Sequence, residues 1–129
     1  MPGTCSKRIL VVDDEEVVRS LCARLLAPLG YIVEVAADGR EALERFDQQP
    51  FDLVLTDHRM PGNLDGLKLG QAVKRRAPNT HVILMTAFPA VDAAVQMLRM
   101  GAADYLIKPF VQEELLARVQ SCLAERAAD

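Results

Sequence analysis

Short apolar runs of β-type residues alternate along this chain with longer amphipathic ones. Ile9-Leu10-Val11-Val12 is an unbroken apolar run, which suits a strand covered on both faces. It stops at Asp13-Asp14-Glu15-Glu16, acids placed to open a helix and complement its dipole. That helix should turn Val18, Leu21, Cys22, Leu25 and Leu29 inward and stop near Pro28-Leu29-Gly30. A second strand is predicted over Tyr31–Val35. Asp38-Gly39 then leads into a helix with Ala42, Leu43 and Phe46 inward. Phe51 to Thr56 is a third strand running into Asp57, followed by a Pro61-Gly62-Asn63 loop and a helix over about 65–77. His81–Thr86 is a fourth strand. A helix over about 90–100 should end at Gly101, Asp104–Ile107 is a fifth strand, and the last helix spans about 111–126.

Five strand–helix units in strict alternation predict an α/β fold, a doubly wound parallel sheet in the order 2-1-3-4-5, flavodoxin-like. One such domain should occupy residues 1–129, with its core over about 8–126. In that order the chain reverses between the first and third strands. The ligand crevice lies at the carboxyl ends of the strands, at that switch point.

Composition narrows the function more than the fold. A chain of 129 residues, half of them hydrophobic, can bury a core without disulfides or a structural metal. The net charge of −3 and pI near 5.4 argue against direct nucleic-acid binding. Cys5, Cys22 and Cys122 match no zinc or redox spacing. Cys22 and Cys122 sit in apolar helical patterns and read as small buried hydrophobes, in keeping with a cytoplasmic protein. No apolar run reaches membrane-span length, and no signal-peptide pattern opens the chain.

The chemistry gathers at the strand ends. Asp13 and Asp14 end the first strand and Asp57 the third, so the topology brings three carboxylates to one crevice. Taken singly, each has an ordinary reading, as a helix-start acid or a turn residue. Together they repel, and a hard divalent cation, Mg²⁺ above all, resolves the repulsion. Thr86 ends the fourth strand and Lys108 the fifth, adding a hydroxyl and a cation. Such a set suits phosphoryl transfer to a carboxylate, with Asp57 as nucleophile. His58 and His81 lack partners at ligand spacing and read as structural or surface groups. Lys74-Arg75-Arg76 reads as a helix-end charge cluster.

Ile9 to Glu15 (ILVVDDE), Leu53 to Pro61 (LVLTDHRMP), Asp65-Gly66-Leu67, Val82 to Ala87 (VILMTA) and Gly101 to Phe110 (GAADYLIKPF) resemble the receiver domain of bacterial two-component response regulators. The likeness runs from about residue 8 to 126 and is greatest to receivers of nitrogen-regulatory and fixation-type transcriptional regulators. It implies Asp57 as phosphoacceptor, and Asp13, Asp14, Asp57 and the Arg59 backbone carbonyl around Mg²⁺, with Asp14 favoured over Asp13 as direct ligand. It further implies Thr86 as switch hydroxyl, Lys108 as phosphate partner, Tyr105 as an aromatic switch and a cis Lys108-Pro109 bond. The implied partners are a histidine kinase or histidine phosphotransfer protein and a downstream output protein or domain. A phosphorylation-dependent dimer through the face of the 90–100 helix, last strand and last helix is also implied. The resemblance implies a regulatory phosphoacceptor, not an enzyme beyond its own phosphotransfer and dephosphorylation.

The sequence departs from the family pattern in three places. Gly62-Asn63-Leu64 is one residue longer than usual. Arg59 lies beside the phosphoacceptor and is expected to tune phosphoryl lifetime. Phe88-Pro89-Ala90 lacks a good helix cap, so that segment is expected to be mobile. The alternatives are a receiver-shaped interaction module without phosphorylation and an aspartyl-phosphate hydrolase. A flavodoxin-like nucleotide or flavin binder fits poorly, because four acids follow the first strand where a phosphate-binding loop would lie. The sequence leaves open whether the chain stands alone or is one module of a larger regulator.

Overall fold

A strand that is apolar at every position must be covered on both faces, and the first strand shows how that is done. In the computed structural model, which describes residues 7–58, 65–87 and 101–124, β1 (Arg8–Val12) lies inside a five-stranded sheet. The other strands are β2 (Ile32–Ala36), β3 (Leu53–Asp57), β4 (His81–Thr86) and β5 (Asp104–Ile107). Their order is β2-β1-β3-β4-β5 and every pairing is parallel, as the alternation predicts. The helices are α1 (Glu16–Leu26), α2 (Gly39–Gln48), α3 (Gly66–Arg76) and α4 (Gln112–Leu123). The helix expected over 90–100, the expected mobility near Pro89, the loop at 62–64 and Cys5 lie outside the described residues.

Alternation along β1 splits the core in two. Ile9 and Val11 join Cys22 and Leu26 of α1 and Leu115, Val119 and Leu123 of α4 on one face. Leu10 and Val12 join Ala42 and Phe46 of α2 and Leu69 and Val73 of α3 on the other. Each fully buried aliphatic side chain contributes about 1.5–3 kcal/mol. Among the described residues no helix is long and apolar enough to cross a membrane.

The element ends correct the sequence reading in detail. α1 stops at Leu26, and a 3₁₀ turn over Ala27–Leu29 follows, closed by Gly30 at φ 98°. The tighter turn takes Leu29 off the α-helical stripe, leaving it 43% exposed, while Leu26 takes the inward place. Leu21 is 37% exposed as well, so the inward stripe is narrower than predicted; Val18 and Leu25 pack at its edge. β2 and β3 begin and end later than expected, β3 including Asp57 itself. Cys22 is fully buried, and burial, with the nearby Asp13 charge, pushes its thiol up to about 12. Cys122 is only partly buried at the edge of the same cluster, because α4 turns it toward the rim of the core.

Side chains and backbone close packing fix where two of the helices start. Asp38 caps α2 by accepting from the Glu41 amide at 2.8 Å, and the Glu41 carboxylate accepts from Ala37 N–H at 2.9 Å. This is close to a capping box, shifted by one residue. Asp65 caps α3 in the same manner through the Lys68 amide at 2.9 Å. The next residue, Gly66, donates to the His58 carbonyl at 3.0 Å. A Cβ on Gly66 would run into the Asp57 carbonyl oxygen and come within 2.9 Å of the His58 Cα. Only glycine lets α3 start this close to the end of β3.

Gly66→Ala gains at most about 1 kcal/mol of helix propensity. Against that stands a backbone collision of the overpacking kind, worth about 1–3 kcal/mol. Urea unfolding should therefore show net destabilisation, and an unchanged or raised midpoint would contradict the close approach. Asp38→Ala should cost about 1 kcal/mol by the same measurement through loss of the α2 cap.

Candidate functional site

Strand register decides which side chains meet. Val12 of β1 is level with Thr56 of β3, so the next residues, Asp13 and Asp57, emerge side by side. Asp57 is level with Met85 of β4, which places Thr86 one step further on. Thr86 is level with Ile107 of β5, and Lys108 follows directly. The Lys108 amide donates to the Thr86 carbonyl at 2.7 Å, tying those two ends together. A one-residue slip in any pairing would send one of these groups to the wrong face.

The side chains converge as the topology predicts. One carboxylate oxygen each from Asp13, Asp14 and Asp57 lies within 4.8 Å of the others. Asp13 is fully buried, Asp57 is buried at 8% exposure and Asp14 is exposed. Lys108 Nζ donates to Asp13 Oδ2 at 2.8 Å and lies 3.4 Å from Asp57 Oδ1 and 4.0 Å from Glu15 Oε1. Burial alone would pull the Lys108 ammonium down. The hydrogen bond and charge of Asp13 and the charge of Asp57 outweigh it, and the net direction is up. Lys108 is thus a fixed cation at neutral pH.

Asp13 is held from every side. Its N–H donates to the Ala36 carbonyl at 3.2 Å and its Oδ1 accepts from Glu15 N–H at 2.9 Å. Its own carbonyl accepts from Arg19 Nη1 at 2.7 Å. Asp57 is anchored by its backbone: the Thr56 hydroxyl donates to its carbonyl at 3.1 Å, and the next amide, His58, donates to the Met85 carbonyl at 2.7 Å.

Asp14, Glu15, Asp57, His58, Thr86, Ala87 and Lys108 line a crevice of about 270 Å³, enough for a phosphoryl group and ordered water. Every described site residue of the sequence reading except Tyr105 is in or beside it. Tyr105 sits on β5 with 39% exposure, away from the carboxylates, where an output surface is expected. The Lys108-Pro109 bond is cis. Arg59, expected to offer its carbonyl, lies outside the described residues. His58, expected as a structural or surface group, lines the crevice without joining the carboxylate cluster, because it directly follows Asp57 where β3 ends. His81 is at the far end of β4, where burial and then Lys74 and Lys7 lower its pKa.

The donor set fits a hard cation. Three clustered carboxylates offer oxygen donors, and Glu15 adds a fourth acid at the crevice. Among the described residues Lys108 is the one lysine beside them, an excess of acid that suits a divalent ion with oxygen ligands. The set lacks sulfur or imidazole at ligand distance among the described residues, which disfavours zinc and copper.

Comparisons with known proteins agree with this geometry. The sequence model of the response regulator receiver domain matches residues 9–120. Regulatory protein AtoC of Escherichia coli (strain K12) is 44% identical over 120 residues, which cover 93% of this chain and 26% of AtoC. Response regulator MprA of Mycolicibacterium vanbaalenii is 43% identical over 122 residues, covering 95% of this chain and 52% of that protein. The chain thus spans between a quarter and about half the length of these curated relatives. The solved structure of Vibrio cholerae chemotaxis protein CheY4 superposes with a TM-score of 0.87 at 32% identity, covering 92% of this chain and 100% of that one. The receiver domain of NtrX from Brucella abortus gives 0.84 at 33% identity, covering 92% and 99%. With the receiver fold, the acidic crevice and its lysine already in place, the chain belongs to the response regulator receiver domain family of two-component signalling.

Proposed function

We propose that this chain is a phosphorylation switch that takes a phosphoryl group onto Asp57 from a histidine kinase or histidine phosphotransfer protein. The observation that carries this reading is the meeting of Asp13, Asp14 and Asp57 within 4.8 Å beside the Lys108 ammonium. An Asp57 carboxylate oxygen forms the new O–P bond while the P–N bond to the donor histidine breaks, and the departing imidazole nitrogen keeps the electron pair. Mg²⁺, held by Asp14, Asp57 and the Arg59 carbonyl with Asp13 in support, would neutralise charge on the transferred group.

The chain's own residues do the rest. Lys108 is already 3.4 Å from Asp57 Oδ1 and pairs with a phosphoryl oxygen once the group arrives. Thr86, buried at 2% exposure on the crevice wall, donates its hydroxyl to another. Arg59 sets how long the acyl phosphate lasts. Tyr105, Ile107 and Val111 expose apolar surface on β5 and at the start of α4. They are the described part of the output face, which Thr86 and Tyr105 shift between two states. That face binds a downstream protein or domain, or a second phosphorylated copy. The chain acts in the cytoplasm as one receiver domain over residues 1–129, as a regulatory phosphoacceptor rather than a turnover enzyme.

Beryllofluoride, a stable mimic of the acyl phosphate, tests the assignment. With Mg²⁺ present, amide shifts around residues 57, 86 and 108 should move in the unsubstituted chain and stay still in Asp57→Ala; no response from the unsubstituted chain would overturn the reading. Lys108→Ala leaves the buried Asp13 carboxylate without its cation, which should cost roughly 3 kcal/mol in the absence of metal. Mg²⁺ should then stabilise Lys108→Ala more than the unsubstituted chain in thermal melts, since a cation replaces a lost cation. Equal metal-induced shifts would contradict the charge balance assigned to the crevice.

A further inference from the structure

Arg19 stands in an unfavourable place. It is the fourth residue of α1, close to the end of the helix where the dipole disfavours a cation. The preceding Glu15 gives that end no side-chain cap. The half-buried Arg19 side chain bends back and donates from Nη1 to the Asp13 carbonyl at 2.7 Å, while no carboxylate lies within ion-pair distance of it among the described residues. That carbonyl belongs to the peptide joining Asp13 to Asp14. With the Asp13 amide fixed on Ala36 and its carboxylate on Glu15 N–H and Lys108, the Arg19 bond closes the last open polar group of Asp13. It also fixes the plane from which Asp14 departs, and Asp14 is the exposed acid of the cluster.

We infer that Arg19 is a positioning residue for the divalent-cation site, acting through the Asp13–Asp14 peptide rather than through a charge on the ligands. The inference rests on the metal reading under Proposed function. A guanidinium near the site, acting by charge alone, would repel a cation, and its removal would tighten binding. Acting by position, it orders the loop, and its removal weakens binding. The two effects have opposite signs, so one measurement separates them.

The experiment titrates Mg²⁺ alone into the full chain by calorimetry, comparing the unsubstituted protein with Arg19→Met and Arg19→Lys. Arg19→Met keeps an apolar stem of similar reach and loses the donor. It should bind Mg²⁺ about tenfold more weakly, the size of effect typical for groups that orient metal ligands. Arg19→Lys keeps a donor without the rigid fork and should recover part of the loss. Thermal melts in chelator check that each variant is folded. A purely structural role would lower the melting temperature and leave the Mg²⁺ affinity of the folded protein unchanged. Unchanged or tighter binding by folded Arg19→Met would overturn the inference. Should Arg19→Met fail to fold, full Mg²⁺ affinity together with loss of loop order in Arg19→Lys, read from the Asp14 amide shift, would overturn it equally. Absence of Mg²⁺ binding by the unsubstituted chain would instead overturn the metal reading, and this inference with it.

Discussion

The fold has to hold three carboxylates together at the carboxyl edge of its sheet, two of them buried, and the Lys108 ammonium is what makes that tolerable. Coulomb repulsion between charges a few ångströms apart is severe in a partly desolvated crevice. Lys108 bonds Asp13 and leans toward Asp57, so one cation serves two buried acids. The register of the strands thereby leaves the crevice short of positive charge. A site balanced by its own side chains would have little pull on a cation. One left underneutralised, but kept folded by a single lysine, draws in a divalent cation, and only with that charge in place does the crevice tolerate an anionic phosphoryl group.

Much of this is legible in the sequence because it depends on period and order. Continuous apolar runs such as Ile9–Val12 and Val82–Met85 announce strands covered on both faces, and their alternation with amphipathic runs fixes the topology. Once the order is known, the residue that ends each strand is known, and with it the crevice. Asp13, Asp57, Thr86 and Lys108 all emerge in that manner.

What the sequence hides depends on backbone geometry. Leu26 and Leu29 exchange roles because a 3₁₀ turn changes the rotation per residue, and the α-helical period cannot anticipate it. Gly66 looks like part of a motif. Its physical role, to leave room for the Asp57 carbonyl, is visible only when β3 and α3 are placed together. His58 has no ligand partners at sequence spacing, although its place next to Asp57 at a strand end is signal enough to put it in the crevice. Arg19 gives no signal of its partner, because that partner is a main-chain carbonyl and every residue carries one. Only its position near a helix start without a capping side chain sets it apart.

The pair Asp13-Asp14 shows how adjacent identical residues acquire different work. Asp13 continues the line of β1 and is buried, and all its polar groups are engaged: amide, carbonyl and both carboxylate oxygens. A carboxylate so fully occupied has little left to offer a cation directly, and it acts instead by holding Lys108 and the loop. Asp14 is one residue further on, past the edge of the sheet, where solvent reaches it. It keeps its lone pairs available and can meet a hydrated ion without first breaking a buried bond, which matters for a cation as reluctant to shed water as Mg²⁺. The division follows from where β1 ends. Moving that end by one residue would bury the acid that needs water and expose the acid that needs its partners.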